Sequence, residues 1–119
     1  MTMTEPTRIF HNPRCSKSRQ TLELLQQKGV EPEIIRYLET PPTEQELLHI
    51  LDLLGCEPRQ LMRTKESEYI ELGLNAPELT REELVKAMVN TPKLIERPIV
   101  LANGKAALGR PPENVLDIL

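Results

Sequence analysis

The chain has 119 residues, of which 39% are hydrophobic and 28% charged, and its formal net charge is −3. This profile is typical of a soluble globular protein, and the length predicts a single domain over residues 1–119. The negative net charge argues against the basic surface of a nucleic-acid-binding protein, and the 3% content of aromatic residues leaves few side chains on which bases could stack. No apolar run approaches the roughly 20 residues that span a bilayer, and the N-terminal residues show no secretory signal. We therefore expect a cytoplasmic protein.

The first elements predict a β-α-β unit. Residues 8–11, with the apolar pair Ile9 and Phe10, favour a short strand, and residues 16–28 follow a helical pattern that ends before Gly29, a typical C′ residue. After Pro32, residues 33–38 are rich in β-branched and aromatic side chains and predict a second strand, parallel to the first.

The middle of the chain, about residues 42–92, predicts a helical insert. Thr43 with Glu46, and Thr80 with Glu83, have the spacing of capping boxes, so we expect helices from residue 44 to about 54 and over 81–90. A short helical piece over 59–62 and a charged stretch over 65–72 lie between them.

The last part of the chain predicts a β-hairpin and a helix. Residues 98–101 and 105–108 read as strands joined by an Asn103-Gly104 turn. A helix over 113–119 is expected to pack Val115, Leu116 and Leu119 on the sheet. The order β-α-β, helical insert, β-β-α predicts an α/β, thioredoxin-like fold with a mixed four-stranded sheet. In such a layout Pro98, at the start of the hairpin, lies beside the C-terminal end of the first strand and the cysteine that follows it, and we predict a cis Arg97–Pro98 bond.

Cys15 lies where the first strand gives way to the first helix. Unpaired backbone N–H groups and the helix dipole at that position favour a thiolate, as do nearby cations such as Arg14 and Lys17. Ser18 completes a Cys-x-x-Ser sequence, in which the hydroxyl is able to donate to the thiolate but forms no disulfide. The alternative is an inert cysteine at a helix start. Cys56, the second cysteine, is interpreted as a packing residue, and no Cys/His cluster predicts a metal.

Three arginines stand out by their sequence context: Arg63, Arg97 and Arg110. Their planar guanidinium groups suit bidentate binding of a tetrahedral oxyanion, and the last two lie at the two ends of the predicted hairpin. The alternative for each is a solvated surface charge, which is how we interpret Arg36, Arg59 and Arg81. His49 is likewise interpreted as a surface residue.

Together these segments resemble the glutaredoxin-linked arsenate reductases, and most closely a short subfamily of them. The resemblance runs from Ile9 to Leu119. It is carried by His11-Asn12-Pro13-x-Cys15-x-x-Ser18, Tyr37-Leu38-Glu39-x-Pro41-Pro42-Thr43, Leu61-Met62-Arg63, Leu72-Gly73-Leu74, Arg97-Pro98-Ile99-Val100 and Gly109-Arg110-Pro111.

The resemblance implies a reductase without a bound cofactor or metal. It implies that Cys15 attacks arsenate or a similar oxyanion, with glutathione and glutaredoxin as reductants. The residues that it implies for the site are the oxyanion-binding Arg63, Arg97 and Arg110 and the thiolate-stabilising His11 and Ser18.

Two other functions remain open at this level. One is a glutathione-linked reductase that uses the same cysteine on another substrate. The other is a non-enzymatic redox-sensing adaptor like the Spx-type regulators, which share the fold and typically carry Cys-x-x-Cys. Ser18 argues against that switch.

Overall fold

A computed structural model describes residues 6–119. The chain divides into two compact units, one formed by the chain up to Thr40 together with Arg97–Leu119, the other by Pro41–Glu96. The first unit holds the sheet and the second is helical. The single-domain organisation remains a prediction.

The first unit contains the predicted mixed four-stranded sheet. Its strands are β1 (Arg8–Phe10), β2 (Glu33–Ile35), β3 (Ile99–Ala102) and β4 (Lys105–Leu108). Their order is β2-β1-β3-β4, with β1 parallel to β2 and antiparallel to β3, and with β3 antiparallel to β4. This arrangement confirms the thioredoxin-like fold class.

Helix α1 (Ser16–Gln27) connects β1 to β2 and supplies one side of the core. Leu25 on α1 is fully buried against a cluster that includes Ile9 and Val100 of the sheet. Gly29 follows the helix with a φ of 77°, a left-handed conformation that glycine adopts without steric cost.

The hairpin confirms the turn chemistry predicted from the sequence. Asn103 and Gly104 have φ values of 54° and 73°, as a two-residue hairpin turn with two left-handed residues requires. The Arg97–Pro98 bond is cis, as predicted, and so is the Arg110–Pro111 bond, which the sequence analysis did not foresee.

Two predictions for the first unit were wrong. Strand β2 ends at Ile35 instead of residue 38, because the chain turns there, with the Thr40 N–H donating to the Arg36 carbonyl at 2.9 Å. The final segment is a 3₁₀ helix, Pro112–Ile118, that buries Val115 and Ile118 and leaves Leu116 and Leu119 exposed. A 3₁₀ helix brings every third residue to one face, whereas the prediction used the α-helical period.

The second unit consists of three α-helices and two 3₁₀ turns. The helices are α2 (Glu44–Leu54), α3 (Ser67–Glu71) and α4 (Arg81–Asn90), and the turns are Pro58–Leu61 and Pro92–Leu94. Both predicted capping boxes are present, at Thr43 and Thr80. Helix α4 packs on α2, and an isolated bridge pairs Met62 with Ile95. Across the described range 6–119, no helix has the length and apolar character needed to cross a bilayer.

The interpretation of Arg59 as a solvated charge was wrong. Its Nε donates to the Tyr69 hydroxyl at 3.2 Å, and its terminal nitrogen donates to the carbonyls of Leu74 and Ala76. Arg59 thus holds the loop after α3 inside the second unit. Arg81 forms an ion pair with Asp52 at 2.8 Å.

Candidate active site

Cys15 is the N-cap residue of α1. Its backbone is extended, with φ −92° and ψ 123°, and its N–H donates to the Asn12 carbonyl at 3.0 Å across the Pro13–Arg14 turn. The side chain is partly exposed. The thiol therefore lies at the positive end of the helix, within reach of solvent, as the sequence predicted.

The surroundings of Cys15 favour the thiolate. Burial alone would raise the pKa of the thiol, but the backbone N–H of Ser18 and the Arg97 guanidinium outweigh it. The backbone N–H of Lys17 acts in the same direction, so that the pKa of Cys15 lies below the ordinary value of a cysteine. No cap hydrogen bond of ordinary geometry forms at this position. The N–H groups of the first helical turn thus favour the charged form of the sulfur.

Alkylation should distinguish the two cysteines by pH. Burial raises the pKa of Cys56, in the opposite direction to the shift at Cys15. The labelling of Cys15 is measured in Cys56→Ser, and that of Cys56 in Cys15→Ser. We expect the rate of iodoacetamide labelling to reach half of its maximum at a lower pH for Cys15 than for Cys56. Mass spectrometry over a pH series measures both midpoints. Equal midpoints, or a lower one for Cys56, would contradict the assigned electrostatics.

A buried hydrogen-bond network supports the turn that carries Cys15. The Ser18 hydroxyl lies 2.8 Å from His11 Nδ1 and accepts from the Asn12 N–H at 3.0 Å. The pKa of His11 is lowered by burial and by the charges of Arg36 and Arg19, which favours a neutral ring. The direction of the hydrogen bond between Ser18 and His11 depends on which ring nitrogen carries the proton.

This network gives the two polar groups of Ser18 different partners. The hydroxyl bonds to His11 and Asn12, whereas the backbone N–H is the group that lowers the pKa of Cys15. The Cys-x-x-Ser sequence suggested only a hydroxyl that donates to the thiolate. The side chain of Ser18 thus fixes the turn, and its main chain acts on the sulfur.

Ser18→Ala should therefore lower stability. The substitution leaves the buried His11 Nδ1 and the Asn12 N–H without their partner, which should cost about 1–3 kcal/mol of unfolding free energy. Ser16→Ala, at an exposed position in the same helical turn, is the matched control. Urea denaturation measures both, and equal stabilities of the two variants would show that the network contributes nothing.

Arg97 and Arg110 lie at the two ends of the hairpin and meet there. A terminal nitrogen of Arg110 donates to the Arg97 carbonyl at 3.3 Å. The Arg97 side chain faces the Cys15 sulfur and lowers the pKa of the thiol through a hydrogen bond and its charge. Within residues 6–119, the buried Nε of Arg97 has no hydrogen-bond partner. A donor in this position is complementary to an anion next to the thiolate.

Gly109 holds the hairpin ends against α1. Its N–H donates to the Pro98 carbonyl at 2.8 Å, and its carbonyl lies 3.4 Å from Thr21 Oγ1. A Cβ at residue 109 would come within 2.6 Å of Thr21 Oγ1 and 2.8 Å of Pro98 Cγ, so only glycine fits. Thr21 was missed by the sequence analysis, although a polar residue on the buried face of α1 was a signal for such a contact.

Arg63 belongs to the second unit. Its N–H donates to the Leu94 carbonyl at 2.7 Å, and its guanidinium pairs with Glu66 at 3.2 Å. Glu66 is shared with Lys93 at 3.5 Å. The structure brings Cys15, His11, Ser18, Arg97 and Arg110 together in the first unit, and the place of Arg63 in the site remains a prediction. His49 is exposed, as predicted. In the part of the chain that the structure describes, no group of three or more His, Cys, Asp or Glu side chains is arranged to hold a metal ion.

Comparisons with known proteins agree with this fold and identify the family. The chain is 57% identical to the uncharacterised protein YfgD of Escherichia coli K12, over 98% of this chain and 99% of that protein. It is 52% identical to an arsenate reductase of Neisseria meningitidis serogroup A, over 94% and 97% of the two chains. The solved structure of an arsenate reductase from Vibrio cholerae superposes with a TM-score of 0.94 at 51% identity, covering 98% of this chain and 100% of the other. The model of the ArsC family matches residues 10–118. The chain therefore belongs to the ArsC family.

Proposed function

We propose that the protein is an arsenate reductase that takes its electrons from glutathione and glutaredoxin. The observation that carries the proposal is the pairing of Cys15 with Arg97. A thiol with a lowered pKa faces a guanidinium whose buried Nε lacks a partner among the described residues. The reductase names of two of the relatives above point to the same chemistry.

In the first step the Cys15 thiolate attacks the arsenic atom of arsenate. An S–As bond forms, and one arsenate oxygen leaves as water after protonation. Arg63, Arg97 and Arg110 together bind the remaining oxygens. Their guanidinium groups form bidentate hydrogen bonds and neutralise the charge of the adduct. His11 and Ser18 keep the thiolate in place through the turn that they stabilise.

The two electrons come from thiols in the second step. Glutathione displaces a further oxygen as water and forms a second S–As bond. A glutaredoxin thiolate then attacks the glutathione sulfur, which forms a mixed disulfide and leaves the electron pair of that S–As bond on arsenic. Arsenic(V) becomes arsenic(III), and water releases arsenite and the Cys15 thiol. The sequence of steps needs no bound cofactor or metal, and it fits a cytoplasmic protein, since thiols stay reduced there.

Two rival functions use the same cysteine. A glutathione-linked reductase of a mixed disulfide would keep the thiolate and need no oxyanion site, whereas a reductase of another oxyanion would keep both. A redox-sensing adaptor would keep the fold and need no turnover. The Arg97 side chain, which lowers the pKa of Cys15 and has a buried Nε without a partner among the described residues, favours an oxyanion reductase over a disulfide reductase and over an adaptor.

Steady-state turnover tests the proposal. The purified protein is mixed with arsenate, glutathione, glutaredoxin, glutathione reductase and NADPH, and NADPH oxidation is followed with and without arsenate. We expect oxidation that requires both arsenate and this protein, with arsenite as product. Arsenate-independent reduction of a mixed disulfide would favour the first rival, and no turnover with any substrate would favour the second.

A further inference from the structure

A groove lies beside the turn that carries Cys15, and none of the steps above uses it. It measures about 320 Å³, within the range of roughly 300–1,000 Å³ that is usual for small-molecule sites. All of its lining belongs to the first unit and comes from two segments, the one before α1 and the one after β2: His11, Asn12, Pro13, Arg14, Arg36, Leu38 and Glu39.

Three charged side chains that line this groove have no polar partners among the described residues. Arg14, Arg36 and Glu39 are exposed, and within residues 6–119 none of these three side chains makes a hydrogen bond or an ion pair. By contrast, Arg59 and Arg81 of the second unit both have polar partners. Leu38, between the charges, is a large apolar residue with 45% of its surface exposed. The groove thus presents two cations, one anion and one apolar contact to solvent.

The charge of Arg36 affects His11, which supports the turn that carries Cys15. After burial, Arg36 makes the largest contribution to lowering the pKa of His11, ahead of Arg19. His11 also lines the groove. On the other side, Asn12, Pro13 and Arg14 lead directly to Cys15. A ligand in the groove would therefore lie next to the chain segment that holds the sulfur.

We infer that this groove binds the reductant glutathione. The inference rests on the proposed function, which makes this tripeptide thiol a substrate. Glutathione carries two carboxylates and one ammonium group, the inverse of the charges of Arg14, Arg36 and Glu39. A tripeptide extends to roughly 10 Å, and its thiol is on the central residue. Holding both charged ends leaves that thiol free to approach arsenic on Cys15.

Binding of a non-reactive analogue tests the inference without arsenate. S-methylglutathione is titrated into the wild type and into Arg36→Glu, and binding is followed by NMR shifts of the groove residues. The matched control is Lys105→Glu, which makes the same charge change at the exposed start of β4, the end of the sheet away from Cys15. We expect Arg36→Glu to weaken binding on the order of tenfold and Lys105→Glu to leave it unchanged.

A ligand in which one carboxylate is esterified tests whether an arginine of the groove binds that carboxylate. S-methylglutathione with its glycyl carboxylate esterified should bind the wild type more weakly, because one charge is lost. If an arginine of the groove holds that carboxylate, Arg36→Glu or Arg14→Glu should show little additional loss with the ester. In turnover, the same arginine variant should raise the KM for glutathione and leave the KM for arsenate unchanged.

The possible failures are distinguishable. Shifts elsewhere on the surface, or equal affinities of the wild type, Arg36→Glu and Arg14→Glu, would overturn the groove assignment even if arsenate turnover is observed. Absence of arsenate turnover with specific binding of the analogue in the groove would overturn the proposed function and leave the groove assignment intact.

Discussion

Cys15→Ser is expected to abolish arsenate-dependent NADPH oxidation, with a loss of about 10⁴-fold or more, because a serine hydroxyl does not replace a thiolate nucleophile. Cys56→Ser should keep most of the activity. Burial raises the pKa of Cys56, which makes it a poor nucleophile, and the Cys15 side chain already supplies the thiolate. The coupled assay with glutathione and glutaredoxin measures both variants.

The pair of cysteine variants also tests the single-thiol scheme. In the proposed sequence of steps, glutathione and glutaredoxin supply every further thiol. An equally large loss in Cys56→Ser, with its fold intact by circular dichroism, would show that the second cysteine takes part in the reaction. The scheme would then have to include a disulfide within the protein.

Arg97→Lys should reduce kcat/KM for arsenate by about 30- to 1,000-fold. Lysine keeps the positive charge but loses the planar fork and the buried Nε–H, which has no hydrogen-bond partner among the described residues. By analogy with oxyanion-hole donors, such a loss corresponds to about 2–4 kcal/mol of transition-state stabilisation. Steady-state kinetics with varied arsenate measures the change.

The control for Arg97 needs an arginine outside the first unit. Arg36, which the sequence suggested as a solvated charge, is exposed but lines the groove beside His11. Arg81 on α4, paired with Asp52, is the better choice. Arg81→Lys should remain within a few-fold of the wild type, and a similarly small effect of Arg97→Lys would mean that Arg97 provides charge alone.

Local sequence signals predicted most of the fold. The capping boxes at Thr43 and Thr80 and the Asn103-Gly104 turn depend on neighbouring residues only, and all three are present. The misses depend on tertiary structure. The β-rich run 33–38 is cut at Ile35, where pairing with β1 ends, and the last segment becomes a 3₁₀ helix so that Val115 and Ile118 reach the core.

The candidate site was predictable to the same extent. Pro13 and the helical pattern after it placed Cys15 at a helix start, and the structure has it at the N-cap. The contact between the Ser18 hydroxyl and His11, and the approach of Thr21 to Gly109, required knowledge of how α1 packs. A short polar residue gives no sequence signal of its partner when that partner lies across the fold.

The most direct test of an oxyanion site beside a thiolate is whether bound arsenate protects Cys15 from alkylation, since this measurement needs no reductant. The rate of iodoacetamide labelling of Cys15 is measured in Cys56→Ser at increasing arsenate concentrations, with and without Arg97→Ala. We expect arsenate to slow labelling when Arg97 is present, and to require a much higher concentration when it is absent. Labelling that arsenate does not slow, or slows equally in both proteins, would contradict an oxyanion site that includes Arg97.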